Sequence, residues 1–279
     1  MVEQNTQKVG GLIVAGSPPV LTCPHGRKPR LLLAEDSNTA RILTAALLKR
    51  MGADVDTAEH GEEALDHVRQ NEYDLVLLDI EMPVMDGVMA AKEIRALDGM
   101  AGKTPLMALS AFLADSAKCG SWRESFDHAL PKPAGRSELH SAIQFVLNTK
   151  GVRRFESGPA KFIADPDLLI DKTAMAEAKA EISAATWNEL LGVAIGEMHA
   201  CVRVLKINHE SRDRQVLRRQ AHKLKGIAQS FAAPMLAHLA EEFERDCPGW
   251  SMSTRDEKTQ ALRKAVSRTT AALAALNSN

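Results

Sequence analysis

Polar side chains suited to phosphoryl chemistry stand at the ends of short apolar runs in the first half of the chain. They are Glu35 and Asp36 after residues 31–34, Asp79 at the end of 74–79, Ser110 at the end of 105–110, and Lys132 after 128–130. If these runs are parallel strands, their carboxyl ends share the edge of the sheet at which such sheets bind ligands. We therefore expect the five side chains to meet at one rim.

Three carboxylates gathered in one place repel one another and raise each other's pKa unless a cation lies among them. Mg²⁺ meets that need, because it binds few carboxylates and keeps positions open for phosphate oxygens. Lys132 adds a positive charge for a phosphoryl group, and the Ser110 hydroxyl can donate to one of its oxygens. The set predicts phosphoryl transfer to a carboxylate, with Asp79 as the nucleophile.

The elements that position these residues are predicted from alternating apolar runs and amphipathic stretches. Predicted strands cover residues 31–34, 53–58, 74–79, 105–110 and 128–130, and predicted helices cover 38–51, 61–70, 87–97, about 113–119 and 136–148. Five β–α units indicate a flavodoxin-like, doubly wound parallel α/β domain. In the first helix, one apolar face is predicted to consist of Ile42, Leu43, Ala46, Leu47 and Met51.

A second candidate nucleophile, His222, lies in a predicted helix over residues 213–232. The buried seam of that helix is predicted at Leu217, Ala221, Leu224, Ala228 and Phe231. His222 lies off the seam, and we expect an exposed, neutral imidazole with a pKa of about 6.5. Lys225, one turn on, can hold phosphoryl oxygens, and Gly226 leaves room for an approaching protein.

The chain length of 279 residues, at about 150 residues per domain, predicts two modest domains. We divide the chain into a flexible leader (1–28), the α/β domain (29–148), a linker (149–170) and an all-helical domain (171–279). Helices near 171–182, 184–207, 213–232, 234–246 and 254–276 predict a four-helix type of bundle.

The amino-acid composition indicates a globular protein and gives no sign of a nucleic-acid-binding or membrane protein. Hydrophobic residues make up 45% and charged residues 25% of the chain, which is typical of a globular protein. A net charge of −1 gives no overall attraction to nucleic acid or anionic lipid. Four scattered cysteines and the lack of a long apolar run favour a cytoplasmic protein without membrane insertion.

The motifs of the first domain resemble those of response regulator receiver domains. They read LLLAED at 31–36, DIEMPVMDG at 79–87, ALSA at 108–111 and PKP at 131–133. The resemblance implies that Asp79 is the phosphoacceptor and that Asp36, Asp79 and the backbone carbonyl of Glu81 bind Mg²⁺, with Glu35 helping through water. It also implies that Ser110 and Lys132 contact the phosphoryl group. Ala129 stands where many receivers have an aromatic residue that reports phosphorylation, which favours a domain that passes phosphate on.

The run AHKLKGIAQSF at 221–231 resembles histidine-phosphotransfer (HPt) domains of multistep phosphorelays. This resemblance implies that His222 is phosphorylated, that Lys225 stabilises the phosphoryl group and that Gly226 provides clearance. Together the two resemblances imply a phosphoryl carrier without a kinase domain, whose partners are a sensor histidine kinase and a downstream receiver protein. The direction of transfer, and whether it occurs within one chain, stay open.

Two other functions remain as alternatives. Residues 227–243 could form a DNA-binding helix-turn-helix, although the acidic residues Glu241, Glu242, Glu244 and Asp246 would repel a phosphate backbone. The sequence Asp79-Ile80-Glu81 faintly resembles the motif of aspartate-nucleophile phosphatases, which leaves the Glu35–Asp36 pair unexplained.

Overall fold

The structure is a computed structural model that describes residues 20–24, 26–110, 122–132, 134–149, 167–180, 182–208 and 214–277. The side chains of Trp122 and Asn208 are outside this description. Most of the predicted leader and linker, and the helix predicted at 113–119, lie outside the described residues.

The first domain is built on a five-stranded sheet. Its elements are β1 (Arg30–Ala34), α1 (Asn38–Arg50), β2 (Asp54–Ala58), α2 (Gly61–Gln70), β3 (Leu75–Asp79), α3 (Gly87–Arg95), β4 (Leu106–Ser110), β5 (His128–Pro131) and α4 (Arg136–Thr149). All strands are parallel, in the order β2-β1-β3-β4-β5. The predicted doubly wound α/β architecture is confirmed, and the strand order reverses between β1 and β3.

The sheet is buried on both faces because successive strand residues point to opposite sides. Leu31 and Leu33 of β1 pack in one apolar cluster, which includes residues of α1 and α4. Leu32 and Ala34 pack in a second cluster with residues of α2 and α3. Helices therefore cover both faces, and the rim at the strand carboxyl ends is left for polar residues.

The predicted apolar face of α1 is partly wrong. Leu43 and Met51 are buried, but Ile42 is 36% exposed and Ala46 and Leu47 are only partly buried. Arg41 turns inward instead, because its guanidinium donates to the Glu35 carbonyl oxygen at 2.8 Å and pairs with a nearby carboxylate. The buried face of α1 therefore consists of Thr39, Arg41, Leu43, Ala45 and Leu48.

The second domain is a helical bundle. It comprises α5 (Lys172–Ala180), α6 (Ala184–Asn208), α7 (Arg214–Ser230), α8 (Pro234–Asp246) and α9 (Met252–Asn277). Contacts of α6 with α7, α7 with α8, α8 with α9 and α9 with α6 close a ring of four helices, with α5 added at its start. The predicted seam of α7 is confirmed, since all five of its residues are buried in the bundle core. None of the helices in the described ranges is long and apolar enough to cross a membrane.

Candidate functional site

The strand ends bring the five predicted polar residues to one rim. In the sheet register, Ala34 is level with Leu78, and Asp79 is level with Leu109. Ser110 is level with Pro131, and the backbone N–H of Lys132 donates to the Ser110 carbonyl oxygen at 2.9 Å. Parallel pairing therefore fixes the relative heights of the acidic and basic residues.

Three carboxylates and one lysine form the centre of this rim. Glu35, Asp36 and Asp79 each offer an oxygen, and these atoms all lie within 4.8 Å of one another. Lys132 Nζ lies 2.7 Å from Asp79 Oδ2 and also donates to Glu35. Both Glu35 and Asp79 are buried.

The buried charges shift the pKa values of the cluster in opposite directions. Burial raises the pKa of Glu35 to about 7, because Asp79 and Asp36 add to the effect and only Lys132 opposes it. Burial also raises the pKa of Asp36, with the charge of Asp79 adding to it. Burial alone would raise the pKa of Asp79, but Lys132 and His222 outweigh it and lower that pKa. The lowered pKa favours the carboxylate form of Asp79.

The donor set fits Mg²⁺. Close carboxylate oxygens are the ligands this ion prefers, and three of them lie within 4.8 Å of one another, where a divalent cation would relieve their mutual repulsion. Glu81 follows Asp79 by two residues, and its backbone N–H donates to Asp79 Oδ1 at 3.3 Å. The backbone of Glu81 is thus held at the edge of the cluster.

His222 lies directly over this rim, because α1 of the first domain packs against α6 and α7 of the second. His222 Nε2 is 3.9 Å from Asp79 Oδ2. His222 Nδ1 is 3.0 Å from Glu81 Oε2 and 3.0 Å from Glu244 Oε1. The structure therefore brings the two predicted nucleophiles face to face.

The expected exposed and neutral state of His222 is wrong for this arrangement. Its side chain is only 12% accessible, because the rim of the first domain and Glu244 of α8 enclose it. Burial by itself lowers the pKa of His222, but the carboxylates of Asp79, Glu244 and Glu81 outweigh burial and raise the pKa well above its usual value.

Lys225 and Gly226 were expected to hold phosphoryl oxygens and to provide clearance. Lys225 is 2% exposed, and its ammonium donates to Glu244 Oε2 at 2.6 Å. Burial would raise the pKa of Glu244, but its contact with His222 and, to a smaller extent, with Lys225 lowers that pKa to about 2. A methyl group added at Gly226 would meet no atom within 4 Å, so close approach does not require glycine here. Both residues still line a small cavity between the domains, together with His222 and Lys132.

The sequence reasoning missed two carboxylates that the site uses. Glu244 lies within the buried stripe of α8 that includes Leu236, Ala240 and Phe243, and an acid in an apolar stripe was a usable signal. Glu197 of α6 carried no such signal. Its Oε2 accepts from the Thr39 hydroxyl of α1 at 2.5 Å, and its Oε1 lies 2.9 Å from Lys223 Nζ.

Two family models match separate parts of the chain. Residues 31–144 match the response regulator receiver domain, and residues 189–279 match the Hpt domain. The chain is 27% identical over 228 residues to the sensor histidine kinase GacS of Pseudomonas protegens, covering 78% of this chain and 24% of GacS. It is 28% identical over 228 residues to the aerobic respiration control sensor protein ArcB of Escherichia coli K12, covering 79% of this chain and 28% of ArcB. The chain thus spans about a quarter of these relatives.

One similar solved structure is the receiver domain of a sensor histidine kinase from Pseudomonas aeruginosa, which has a magnesium ion coordinated in its active-site cleft. It is 28% identical and has a TM-score of 0.41, covering 43% of this chain and 98% of its own. The two domain matches fall on the two halves that carry Asp79 and His222. The chain therefore contains a response regulator receiver domain followed by an Hpt domain.

Proposed function

We propose that this chain carries a phosphoryl group between Asp79 and His222 of the same molecule. The observation that supports the proposal is the separation of 3.9 Å between His222 Nε2 and Asp79 Oδ2. At this distance a nucleophilic nitrogen and a carboxylate oxygen stand on opposite sides of the space for one phosphoryl unit. Holding both reactants in place removes the entropic cost of bringing them together, which is a large part of the catalysis in such transfers.

In the first step, Asp79 accepts a phosphoryl group from the phosphohistidine of a sensor histidine kinase. The Asp79 oxygen forms the new bond to phosphorus, and the bond from phosphorus to the donor nitrogen breaks. Lys132 neutralises charge on the phosphoryl oxygens, and Ser110 donates a hydrogen bond to one of them. Glu35, Asp36, Asp79 and the Glu81 backbone carbonyl would hold Mg²⁺, which when bound supplies further neutralisation of the phosphoryl charge.

In the second step, the charged His222 ring first loses its Nε2 proton to water, and the lone pair on Nε2 then attacks phosphorus. The P–N bond forms, the P–O bond to Asp79 breaks, and Asp79 leaves as a carboxylate with the bonding pair. The resulting phosphohistidine then donates to an aspartate of a downstream receiver protein. Because neither step consumes ATP, the chain acts as a carrier, and the same steps run in reverse when the downstream partner is the donor.

The two alternative functions, DNA binding and phosphatase activity, have less support than phosphoryl transfer. In the DNA-binding alternative, the second helix would be α8, but α8 is part of the four-helix ring and its Glu244 is paired with Lys225 inside the bundle. The phosphatase alternative leaves the position of His222 over Asp79 without a role. Both alternatives also fail to account for the Hpt domain match at 189–279.

The test uses the full chain labelled with radioactive acetyl phosphate, with Asp79→Asn and His222→Gln as variants. Wild type is expected to acquire an acid-labile, alkali-stable label that is absent from both variants, while His222→Gln retains an alkali-labile label on Asp79. The transfer rate should not depend on protein concentration. Undiminished alkali-stable label in Asp79→Asn, or a rate proportional to concentration, would contradict transfer within one molecule.

Metal removal gives a second test of the same proposal. Chelation with EDTA is expected to abolish labelling of Asp79, and added Mg²⁺ should restore it, because the carboxylate cluster then lacks the cation that neutralises the phosphoryl oxygens. Asp36→Asn should raise the Mg²⁺ concentration needed for half-maximal labelling. Labelling that is equally fast in EDTA would remove the metal from the proposal.

A further inference from the structure

We infer that helix α1 carries a two-point docking surface through which His222 selects the receiver domain of its own chain over other receiver domains. Thr39 lies at one end of this surface and Arg50 at the other. The inference rests on the proposed transfer between Asp79 and His222, because the choice of receiver then decides where the phosphoryl group goes.

The first contact buries a hydroxyl group between the domains. Thr39 is fully buried, and its hydroxyl donates to Glu197 Oε2 of α6 at 2.5 Å. The other oxygen of Glu197 lies 2.9 Å from Lys223 Nζ, next to His222 in α7. A hydrogen bond to a charged acceptor contributes more than one between neutral groups. A receiver with an apolar side chain in place of Thr39 would leave Glu197 without this donor, which discriminates against it.

The second contact uses the end of a helix. Arg50 Nη1, in the last turn of α1, donates to the carbonyl oxygen of Ala180 at 2.6 Å. Ala180 is the last residue of α5, where backbone carbonyls lack intrahelical donors and attract positive charge. All of α5 precedes residue 189, where the Hpt match begins. The Hpt family match therefore does not account for this contact.

The two contacts together define the direction of α1 on the helical domain. Thr39 and Arg50 are about 16 Å apart along the helix, at a rise of 1.5 Å per residue. A single contact would let α1 swivel, whereas two contacts at this separation fix its orientation. Because α1 follows β1 and Asp79 ends the neighbouring strand, the orientation of α1 also sets the position of Asp79 beneath His222.

Docking through α1 favours transfer within a chain and hinders transfer between chains. His222 is only 12% accessible in the docked arrangement, so the receiver of another chain reaches it after the domains separate. The rate within a chain is proportional to the docked fraction, and the rate from another chain is proportional to the undocked fraction. The ratio of the two rates therefore follows the docking equilibrium constant, whichever state predominates.

The experiment measures both rates in full chains that carry Thr39→Val, Arg50→Met or both. Valine keeps the shape of threonine, and Lys49→Met is the matched control because Lys49 is the exposed base beside Arg50. For the rate within a chain, each variant is loaded on Asp79 with radioactive acetyl phosphate, and free acetyl phosphate is removed. Movement of the label to His222 is then followed by rapid quench.

For the rate between chains, the same substitutions are placed in an acceptor chain that also carries Asp79→Asn. The donor is a chain with His222→Gln that is loaded on Asp79 and unchanged in α1, so it delivers its label to His222 of the acceptor. Because the donor is the same in every mixture, differences between acceptors report how readily their own receiver domain uncovers His222.

Thr39→Val is expected to lower the ratio of within-chain to between-chain rates about tenfold, because it removes a hydrogen bond to a charged acceptor. Arg50→Met should lower the ratio about threefold, because this contact is exposed to solvent. The double variant should lower it about thirtyfold, since contacts at this separation act independently. Lys49→Met should match wild type.

An unchanged ratio in the double variant would overturn the inference. This includes the case in which both rates fall together, because that result indicates a folding defect rather than a loss of docking. Wild type that moves no label from Asp79 to His222 is a different outcome, which would overturn the proposed function and the inference with it.

Discussion

Replacement of Gly226 by alanine separates two interpretations of that glycine. The sequence suggested that Gly226 leaves room for an approaching protein, yet in the docked arrangement an added methyl group would meet no atom within 4 Å. Gly226 lies inside α7, where alanine is about 1 kcal/mol more favourable than glycine. We therefore expect Gly226→Ala to stabilise the helical domain by about 0.5–1 kcal/mol, which for a domain of this size raises Tm by roughly 4 °C.

The assay is urea unfolding followed by the fluorescence of Trp187, which is buried in the bundle core. Gly192→Ala is the matched control, because Gly192 lies in the interior of α6, away from the site, and also has no atom within 4 Å of an added methyl group. Both variants should be stabilised by similar amounts, and both should transfer phosphate from Asp79 to His222 at the wild-type rate. A fully folded Gly226→Ala protein that no longer transfers phosphate would refute this reasoning and restore the clearance role.

Three further substitutions follow from the contacts described above. Gly87→Ala should destabilise the receiver domain by about 2–3 kcal/mol in urea unfolding, because the new methyl carbon would lie 2.0 Å from the Asp79 carbonyl oxygen; an unchanged midpoint would contradict this geometry. Glu244→Ala should lower the free energy of unfolding of the helical domain by about 3–5 kcal/mol, because it removes the carboxylate that pairs with the buried ammonium of Lys225. A decrease below about 1 kcal/mol would indicate that water reaches Lys225. Glu197→Ala should weaken docking about tenfold, seen as larger dimensions in small-angle X-ray scattering, because it removes a charged acceptor from Thr39; unchanged scattering would mean that other contacts hold the domains together.

The receiver site could be predicted from sequence because its geometry is a consequence of sheet topology. Residues that end parallel strands must share an edge, so the positions of Asp79, Ser110 and Lys132 followed once the strands were identified. Likewise, the seam of α7 followed from helical periodicity, and its five residues are buried as predicted.

The surroundings of His222 could not be predicted in the same way. Local periodicity shows that His222 lies off the seam of its helix, but the groups that cover it come from the receiver domain and from α8. These contacts join residues far apart in sequence, and no spacing rule encodes them. For the same reason the pairing of Lys225 with Glu244 inside the bundle could not be predicted.

The position of His222 above the receiver rim has a consequence for the order of events. In the proposed relay, the phosphohistidine of the kinase would approach Asp79 from the side that His222 occupies. In the proposed relay the two imidazoles exclude each other, so the domains separate for loading of Asp79, close for transfer to His222 and separate again for transfer to the downstream receiver. Signal flow through this protein is then governed by how often the halves separate, which the contacts between α1 and the helices α6 and α7 determine.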